Sequence, residues 1–243
     1  MLSMGEFVIM RHLTRMTKER VIPLLGACVL FTGGISASVL LGAGSAQAAP
    51  CPGTPVVAGT SCTDTGTLTY TGGTLALTSP TALTWAGTGN GLDQQLVDAT
   101  TAHQSYVVDD ATGSGAGWHV TVSATTFSST VPTTATLANT GTFSTNGSIT
   151  SAVATTGPTA ACTSGATCTV PTDTGVTYPV AMTTALTTPT AVSVYNAPLT
   201  TGLGSITIGL PGAAPVGWWV AVPANAVPGL YTSTVTLEVL TAP

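Results

Sequence analysis

Side chains that could perform acid–base chemistry are scarce in this chain of 243 residues. Beyond residue 48 they are two histidines, His103 and His119, and seven acids: Asp64, Asp93, Asp98, Asp109, Asp110, Asp173 and Glu238. Acid–base catalysis needs such groups to converge with tuned pKa values. We expect His119 on the solvent face of a strand and His103 in a polar turn. Nucleophile-elbow and metallohydrolase motifs are missing, so the sequence predicts no enzyme activity and no cofactor.

Asp109 and Asp110 precede a glycine-rich stretch, residues 111–117, and are the weak candidate for a metal site. Carboxylates and backbone carbonyls are the ligands that Ca²⁺ prefers. Only two carboxylates are local, however, and their spacing departs from that of an EF-hand loop. The sequence therefore favours a strand end with charges facing water over a calcium site, and it predicts no other metal centre.

The tryptophans offer a second kind of chemistry, because exposed indoles can stack on sugar rings. The chain has four, Trp85, Trp118, Trp218 and Trp219. Adjacent residues of a strand point to opposite faces, so one of Trp218 and Trp219 is predicted to be core. The other is expected to be exposed, in an interface or covered by a loop. Trp118, Trp218 and Trp219 are the candidate binding residues.

Positive charge is confined to the N-terminal segment. The four basic residues are Arg11, Arg15, Lys18 and Arg20, and no Lys or Arg follows. A protein without cations cannot neutralise phosphates, which argues against nucleic-acid binding. Nucleotide binding through a P-loop lysine or a guanidinium fork is excluded on the same ground.

The same segment is predicted to be a secretory signal peptide covering residues 1–48. The basic cluster precedes an apolar stretch, residues 21–44, and Ala46-Gln47-Ala48 fits a small-residue cleavage site. A retained membrane anchor is the main alternative, since the apolar stretch is long enough to span a bilayer. Lipid attachment at Cys28, the last residue of the sequence Leu-Gly-Ala-Cys, is a second alternative. Either way we expect an exported protein that meets the membrane only through this segment.

Four cysteines follow the predicted cleavage site, and in an exported chain they indicate two disulfides. Three pairings are possible for four cysteines. Local pairing is favoured, with Cys51–Cys62 and Cys162–Cys168 each closing a short segment rich in Gly, Ser and Thr. Zinc binding is the competing interpretation, but neither pair has metal-ligand spacing.

The pattern of the remaining chain is that of an all-β protein. About one residue in four of 49–243 is Thr, a β-branched residue that favours strands. Alternating apolar and polar residues predict about ten short strands, including a hairpin of 67–71 with 74–78 and a strand at Leu83–Trp85. One weak helical turn is predicted in 92–103. The expected architecture over 49–243 is an antiparallel β-sandwich, either one sandwich or two small ones divided at a possible boundary in the Ser/Thr/Gly-rich stretch 128–160.

Two runs resemble the WxL-type surface domains of Gram-positive bacteria, and the composition suggests an actinobacterial source. The first is Val108-Asp109-Asp110-Ala111-Thr112-Gly113 followed by Gly117-Trp118-x-Val120 and Phe127; the second is residues 227–239. Val120 stands where the family's first motif has Leu, and Leu237 stands where its second has Trp. The resemblance implies a secreted, Ig-like β-sandwich that attaches noncovalently to peptidoglycan.

Taken together, these features predict a non-catalytic, extracellular protein associated with the cell wall. Its expected partner is peptidoglycan or another cell-wall polymer. The alternative is a structural subunit that assembles with itself or with other surface proteins, because low charge opposes self-association only weakly.

Overall fold

The computed structural model describes residues 49–50, 58–59 and 61–241, which belong to two compact units, residues 1–67 and 68–243. In the first unit, strand β1 (Ala49–Pro50) pairs in parallel with β2 (Cys62–Thr63). The predicted signal segment, with Cys28, lies outside the described residues. So does Cys51, and the predicted Cys51–Cys62 bond with it.

The second unit is built from short strands and one 3₁₀ turn at Thr101–His103. The strands are β3 (Leu75–Thr78), β4 (Gln94–Val97), β5 (Tyr106–Asp110), β6 (Trp118–Ala124), β7 (Ser128–Ser129), β8 (Ala135–Thr136), β9 (Phe143–Asn146), β10 (Ala160–Cys162), β11 (Val180–Met182), β12 (Val192–Ala197), β13 (Gly204–Ile208), β14 (Gly217–Val222) and β15 (Val235–Thr241). They outnumber the ten or so predicted, because several comprise only two or three residues between Gly- and Pro-containing loops. In the described part of the chain, no helix has the length and apolar character needed to cross a membrane.

Three antiparallel sheets form the framework of this unit. Their strand orders are β10-β13-β5-β3, β11-β9-β14-β4 and β12-β6-β15, and β7 pairs with β8 as a small separate ribbon. The apolar faces of the sheets enclose one shared core, as in an antiparallel β-sandwich. The predicted fold class is confirmed, and the stretch 128–160 contributes β7, β8 and β9 to this unit.

Alternation along the strands places the core residues where the sequence predicts them. Along β6, Trp118, Val120 and Val122 are fully buried. Along β15, Val235, Leu237 and Val239 are half-buried while the intervening side chains are exposed. At the centre Phe143 stacks on Trp218, with ring centroids 6.1 Å apart. These contacts give the strands of the second unit a continuous core.

The predicted hairpin of 67–71 with 74–78 is wrong. Strand β3 pairs with β5 instead, with Leu77 opposite Val108. This partner offers a buried face for Leu75 and Leu77, whereas Leu68 and Tyr70 are 89% and 83% exposed. Burial against the core therefore outweighs the short Gly72-Gly73 turn.

The segment between β3 and β5 also differs from expectation. Leu83–Trp85 is not a strand, since the backbone N–H of Thr84 donates to the carboxylate of Asp98 (2.8 Å) and not to a neighbouring strand. Within 92–103 the helical tendency is limited to the 3₁₀ turn, because the preceding residues form β4 beside β14. An apolar sheet partner overrides the weak local preference.

The second predicted disulfide is confirmed. Cys162 at the end of β10 is bonded to Cys168, with Cα atoms 5.5 Å apart. The bond closes a loop that returns toward β13, where Thr163 accepts a hydrogen bond from Ser205 (3.0 Å between hydroxyl oxygens). It constrains a surface loop beside a sheet edge.

Candidate functional site

The three tryptophans predicted to bind a ligand all lie inside the protein. Trp118 and Trp218 have no exposed surface, and Trp219 is 5% exposed. The indole N–H of Trp118 donates to the carbonyl of Gly202 (3.0 Å), and that of Trp218 to the carbonyl of His103 (3.0 Å). Their ring faces are occupied by packing, so they cannot stack on a sugar.

Of the outcomes left open for Trp218 and Trp219, the one observed is that one indole is in the core and the other is covered by a loop. The two indoles do leave β14 on opposite sides. The outer one, Trp219, is covered by the loop after β9, where its N–H donates to the carbonyl of Ser148 (2.9 Å) and to the side-chain oxygen of Asn146 (3.2 Å). Asn146 is itself buried and donates to the carbonyls of Ser151 and Ala152. A loop thus adds a second buried layer to this sheet.

Asp109 and Asp110, the two carboxylates considered for calcium, lie at the end of β5. Asp110 is 5% exposed, and one of its oxygens accepts hydrogen bonds from the backbone N–H (3.0 Å) and hydroxyl (2.6 Å) of Thr112. Asp109, the preceding residue of the strand, is half-buried. No group of three or more metal-ligating side chains occurs in the described residues. His119 is half-buried, where exposure was expected.

One paired histidine and carboxylate emerges that the sequence did not indicate. The Nδ1–H of His103 donates to the carboxylate of Asp98 across 2.7 Å, and Asp98 is almost fully buried. The same carboxylate accepts hydrogen bonds from the backbone N–H groups of Thr84 and Thr100. Burial raises the pKa of Asp98, but these hydrogen bonds lower it further than burial raises it, so its pKa lies below the ordinary value.

The pair of Asp98 and His103 connects segments of the chain that are distant in sequence. Asp98 connects the Thr84 segment to the 3₁₀ turn, and the carbonyl of His103 holds the indole of Trp218. Among the described residues, no hydroxyl or thiol is hydrogen-bonded to the other ring nitrogen of His103. The arrangement has the positioning carboxylate and the base of a hydrolytic triad but no nucleophile.

A half-buried carboxyl, Asp173, lies beside a cluster of buried tyrosines. It accepts hydrogen bonds from the hydroxyl of Tyr178 (2.9 Å) and the backbone N–H of Asn196 (2.8 Å). Burial raises the pKa of Asp173 above its ordinary value, and the two hydrogen bonds offset this only in part. The nearby hydroxyl of Tyr106 is buried and forms no hydrogen bond within the described chain. The cluster is interior.

The second unit has a cleft of about 610 Å³ that we call the Trp85 cleft. One wall is the segment 83–92 with the edge of β4, and the other is the segment from the end of β14 to Ser233. Asp93 links the walls, since its carboxylate accepts a hydrogen bond from the backbone N–H of Ala224 (2.8 Å). Trp85 and Tyr231, both half-buried, line the cleft.

The aromatic rings that line the cleft are fixed by hydrogen bonds and ring contacts within the protein. The indole N–H of Trp85 donates to the carbonyl of Trp218 (2.9 Å), and its ring meets Phe127 and Phe143 edge to face, with centroids 5.6 Å and 5.8 Å apart. The hydroxyl of Tyr231 donates to the carbonyl of Val227 (2.8 Å). Both hydrogen-bond donors are used internally, so the rings offer a ligand apolar surface, and the Tyr231 oxygen can still accept a hydrogen bond.

The polar groups of the cleft are uncharged. No Asp, Glu, Lys, Arg or His lines it, and its polar side chains are carboxamides and hydroxyls. Gln94 donates to the carbonyl of Thr88 (3.0 Å), and the side-chain oxygen of Asn90 accepts from the backbone N–H of Leu92 (2.9 Å). The amide N–H₂ of Asn90 and the amide oxygen of Gln94 form no hydrogen bond within the described chain. These two groups are available to a ligand.

Sequence reasoning named Trp85 among the aromatic residues but missed the cleft. The signals available were the glycine-rich run 87–91 and the Pro-Gly pair shortly before Tyr231. Their proximity depends on β4 pairing with β14, a contact distant in sequence. No protein-family model, curated protein or solved structure matches this chain.

Proposed function

We propose that the protein is a non-catalytic, exported surface protein that associates noncovalently with peptidoglycan or another polymer of the cell wall, as a divergent relative of WxL-type surface domains. The Trp85 cleft replaces Trp118, Trp218 and Trp219 as the proposed contact surface. The proposal includes the signal segment 1–48 and an extracellular location.

The character of the Trp85 cleft is the observation that supports this proposal most strongly. Its volume of about 610 Å³ is within the usual range for ligand sites, about 300–1,000 Å³. It combines aromatic rings with uncharged hydrogen-bonding groups and contains no acid, base or cation. Such a surface can bind, but it offers nothing to move protons or to polarise a bond.

Co-sedimentation with purified cell walls tests the proposal. The exported protein is mixed with insoluble peptidoglycan sacculi at moderate salt and centrifuged, and the bound fraction is compared with that on an inert polysaccharide of the same mass. We expect retention by the sacculi that persists when salt is raised, because no charged contact is involved. Recovery of all protein in the supernatant would overturn the proposal.

Self-assembly into a fibre or surface layer is the second candidate, and one segment favours it. Leu68 and Tyr70 alternate with threonines and are 89% and 83% exposed. No backbone hydrogen bond joins Leu68–Gly72 to the rest of the described chain. A β-prone segment without a partner can add to the sheet edge of another copy.

Light scattering tests this candidate. Assembly predicts particles that grow with protein concentration and that are lost in Leu68→Ser with Tyr70→Ser. Leu186→Ser is the matched control, since Leu186 is 71% exposed elsewhere in the unit. A monodisperse monomer at high concentration would exclude assembly through this segment.

A further inference from the structure

We propose that the Trp85 cleft binds a neutral saccharide segment, so that the protein recognises the glycan strand of the wall and neither its peptides nor its anionic polymers. This inference rests on the proposed function, of which it specifies the ligand. Four properties of the cleft and its surroundings carry it.

The first property is that the cleft has no charged side chain that could pair with a charged ligand. No Lys or Arg occurs after residue 20, and the cleft lining contains no charged side chain. A phosphate-bearing polymer or a peptide carboxylate would lose its hydration in the cleft without gaining an ion pair. Asp93 at the junction of the two walls adds a negative charge to the surroundings, which opposes anions further.

The second property is that aromatic rings and side-chain amides line the cleft together. A pyranose has an apolar C–H face and a rim of hydroxyls, each of which both donates and accepts hydrogen bonds. Trp85 and Tyr231 supply apolar surface, while the N–H₂ of Asn90 and the amide oxygen of Gln94 supply one donor group and one acceptor. An entirely apolar ligand would leave these amides without partners, at a cost in affinity.

The third property is that the two aromatic side chains of the cleft are already fixed in place. Trp85 is fixed by its hydrogen bond to the Trp218 carbonyl and by two edge-to-face contacts, and Tyr231 by its bond to Val227. Neither ring must be ordered when the ligand arrives, so the entropic cost of binding is reduced.

The fourth is the glycine content of one wall. Gly87, Gly89 and Gly91 all line the cleft, and a Cβ placed on Gly89 would meet no atom within 4 Å. The open space above this wall is therefore available to a ligand. It also supplies a way to block the cleft without disturbing the fold, because Gly89 does not have a positive φ.

The test compares three soluble probes by isothermal titration calorimetry: chitotetraose, which is neutral and carries the β-1,4-linked N-acetylglucosamine of glycan strands; tetragalacturonate, which is anionic; and a synthetic stem pentapeptide. We expect saturable heat from chitotetraose only. In Gly89→Phe we expect its affinity to fall by about tenfold or more, the loss typical of disrupting a central contact. In Leu186→Phe, at a residue of the same unit that is 71% exposed and does not line the cleft, affinity is expected to be unchanged.

The outcomes separate this inference from the proposed function. Sedimentation of parent and Gly89→Phe alike, with no heat from chitotetraose, would retain wall association and overturn the glycan cleft. Binding of the peptide or of tetragalacturonate in preference to chitotetraose would also overturn it. Binding of chitotetraose that is lost in Gly89→Phe, without sedimentation, would support the cleft and contradict wall association.

Discussion

Strand β14 and the Trp85 cleft both present aromatic residues, but they differ in what surrounds the rings. On β14, Trp218 and Trp219 are enclosed on both sides of the sheet, by the core and by the loop after β9. In the cleft, Trp85 and Tyr231 are backed by the same core but remain half-buried. Aromatic residues on the central strand are therefore buried on both of its faces, whereas Trp85, placed by a glycine-rich loop, keeps surface that a ligand can reach.

Removing a core indole is the strongest way to test this comparison. Trp218→Ala is expected to lower the free energy of unfolding by about 3–5 kcal/mol, because it leaves a cavity beside Phe143 and an unpaired carbonyl on His103. Urea denaturation measures the loss. A variant as stable as the parent would mean that Trp218 is not enclosed as described.

The buried carboxylate of Asp98 should give the next largest effect. Asp98→Ala removes the acceptor for Thr84, Thr100 and His103 and is expected to cost about 2–3 kcal/mol at pH 7. Because the pKa of Asp98 is lowered in the fold, its contribution is present above the unfolded value of about 3.9 and is lost as pH falls through the folded pKa. We therefore expect Asp98→Asn to lose less stability than the parent as pH falls. Urea midpoints measured between pH 2 and 7 check this.

Asp173 should behave in the opposite way. Its pKa is raised by burial, so its stabilising neutral form is present below about pH 3.9 and is lost as pH rises through the folded pKa. Asp173→Asn keeps an acceptor for Tyr178 and stays neutral. We expect its urea midpoint to decrease less than that of the parent between pH 4 and pH 7. An identical decrease would contradict the raised pKa.

The smallest change in stability is expected in the cleft. Gln94→Ala should shift the free energy of unfolding by about 0.5 kcal/mol or less, as at most surface positions, yet weaken chitotetraose binding several-fold. Gln95→Ala is the matched control, since Gln95 is adjacent and exposed but does not line the cleft. Equal binding by the two variants would remove Gln94 from the proposed contacts.

Much of the fold follows from the sequence, because alternation along single strands is local. Trp118, Val120 and Val122 are buried as their spacing predicts, and Cys162 pairs with Cys168. The choice of strand partner is not local: β3 pairs with β5 across the intervening segment that carries β4. The cleft escaped prediction for the same reason, since its two walls are separated by most of the second unit.

The indole N–H signals of the four tryptophans provide the most direct test of the central claim. In a ¹H–¹⁵N correlation spectrum of the exported protein titrated with chitotetraose, we expect the Trp85 signal to shift and those of Trp118, Trp218 and Trp219 to change less. Each signal is assigned by a conservative Trp→Phe substitution. Shifts confined to Trp118 or Trp219, or no shift at all at saturating saccharide, would contradict binding in the Trp85 cleft.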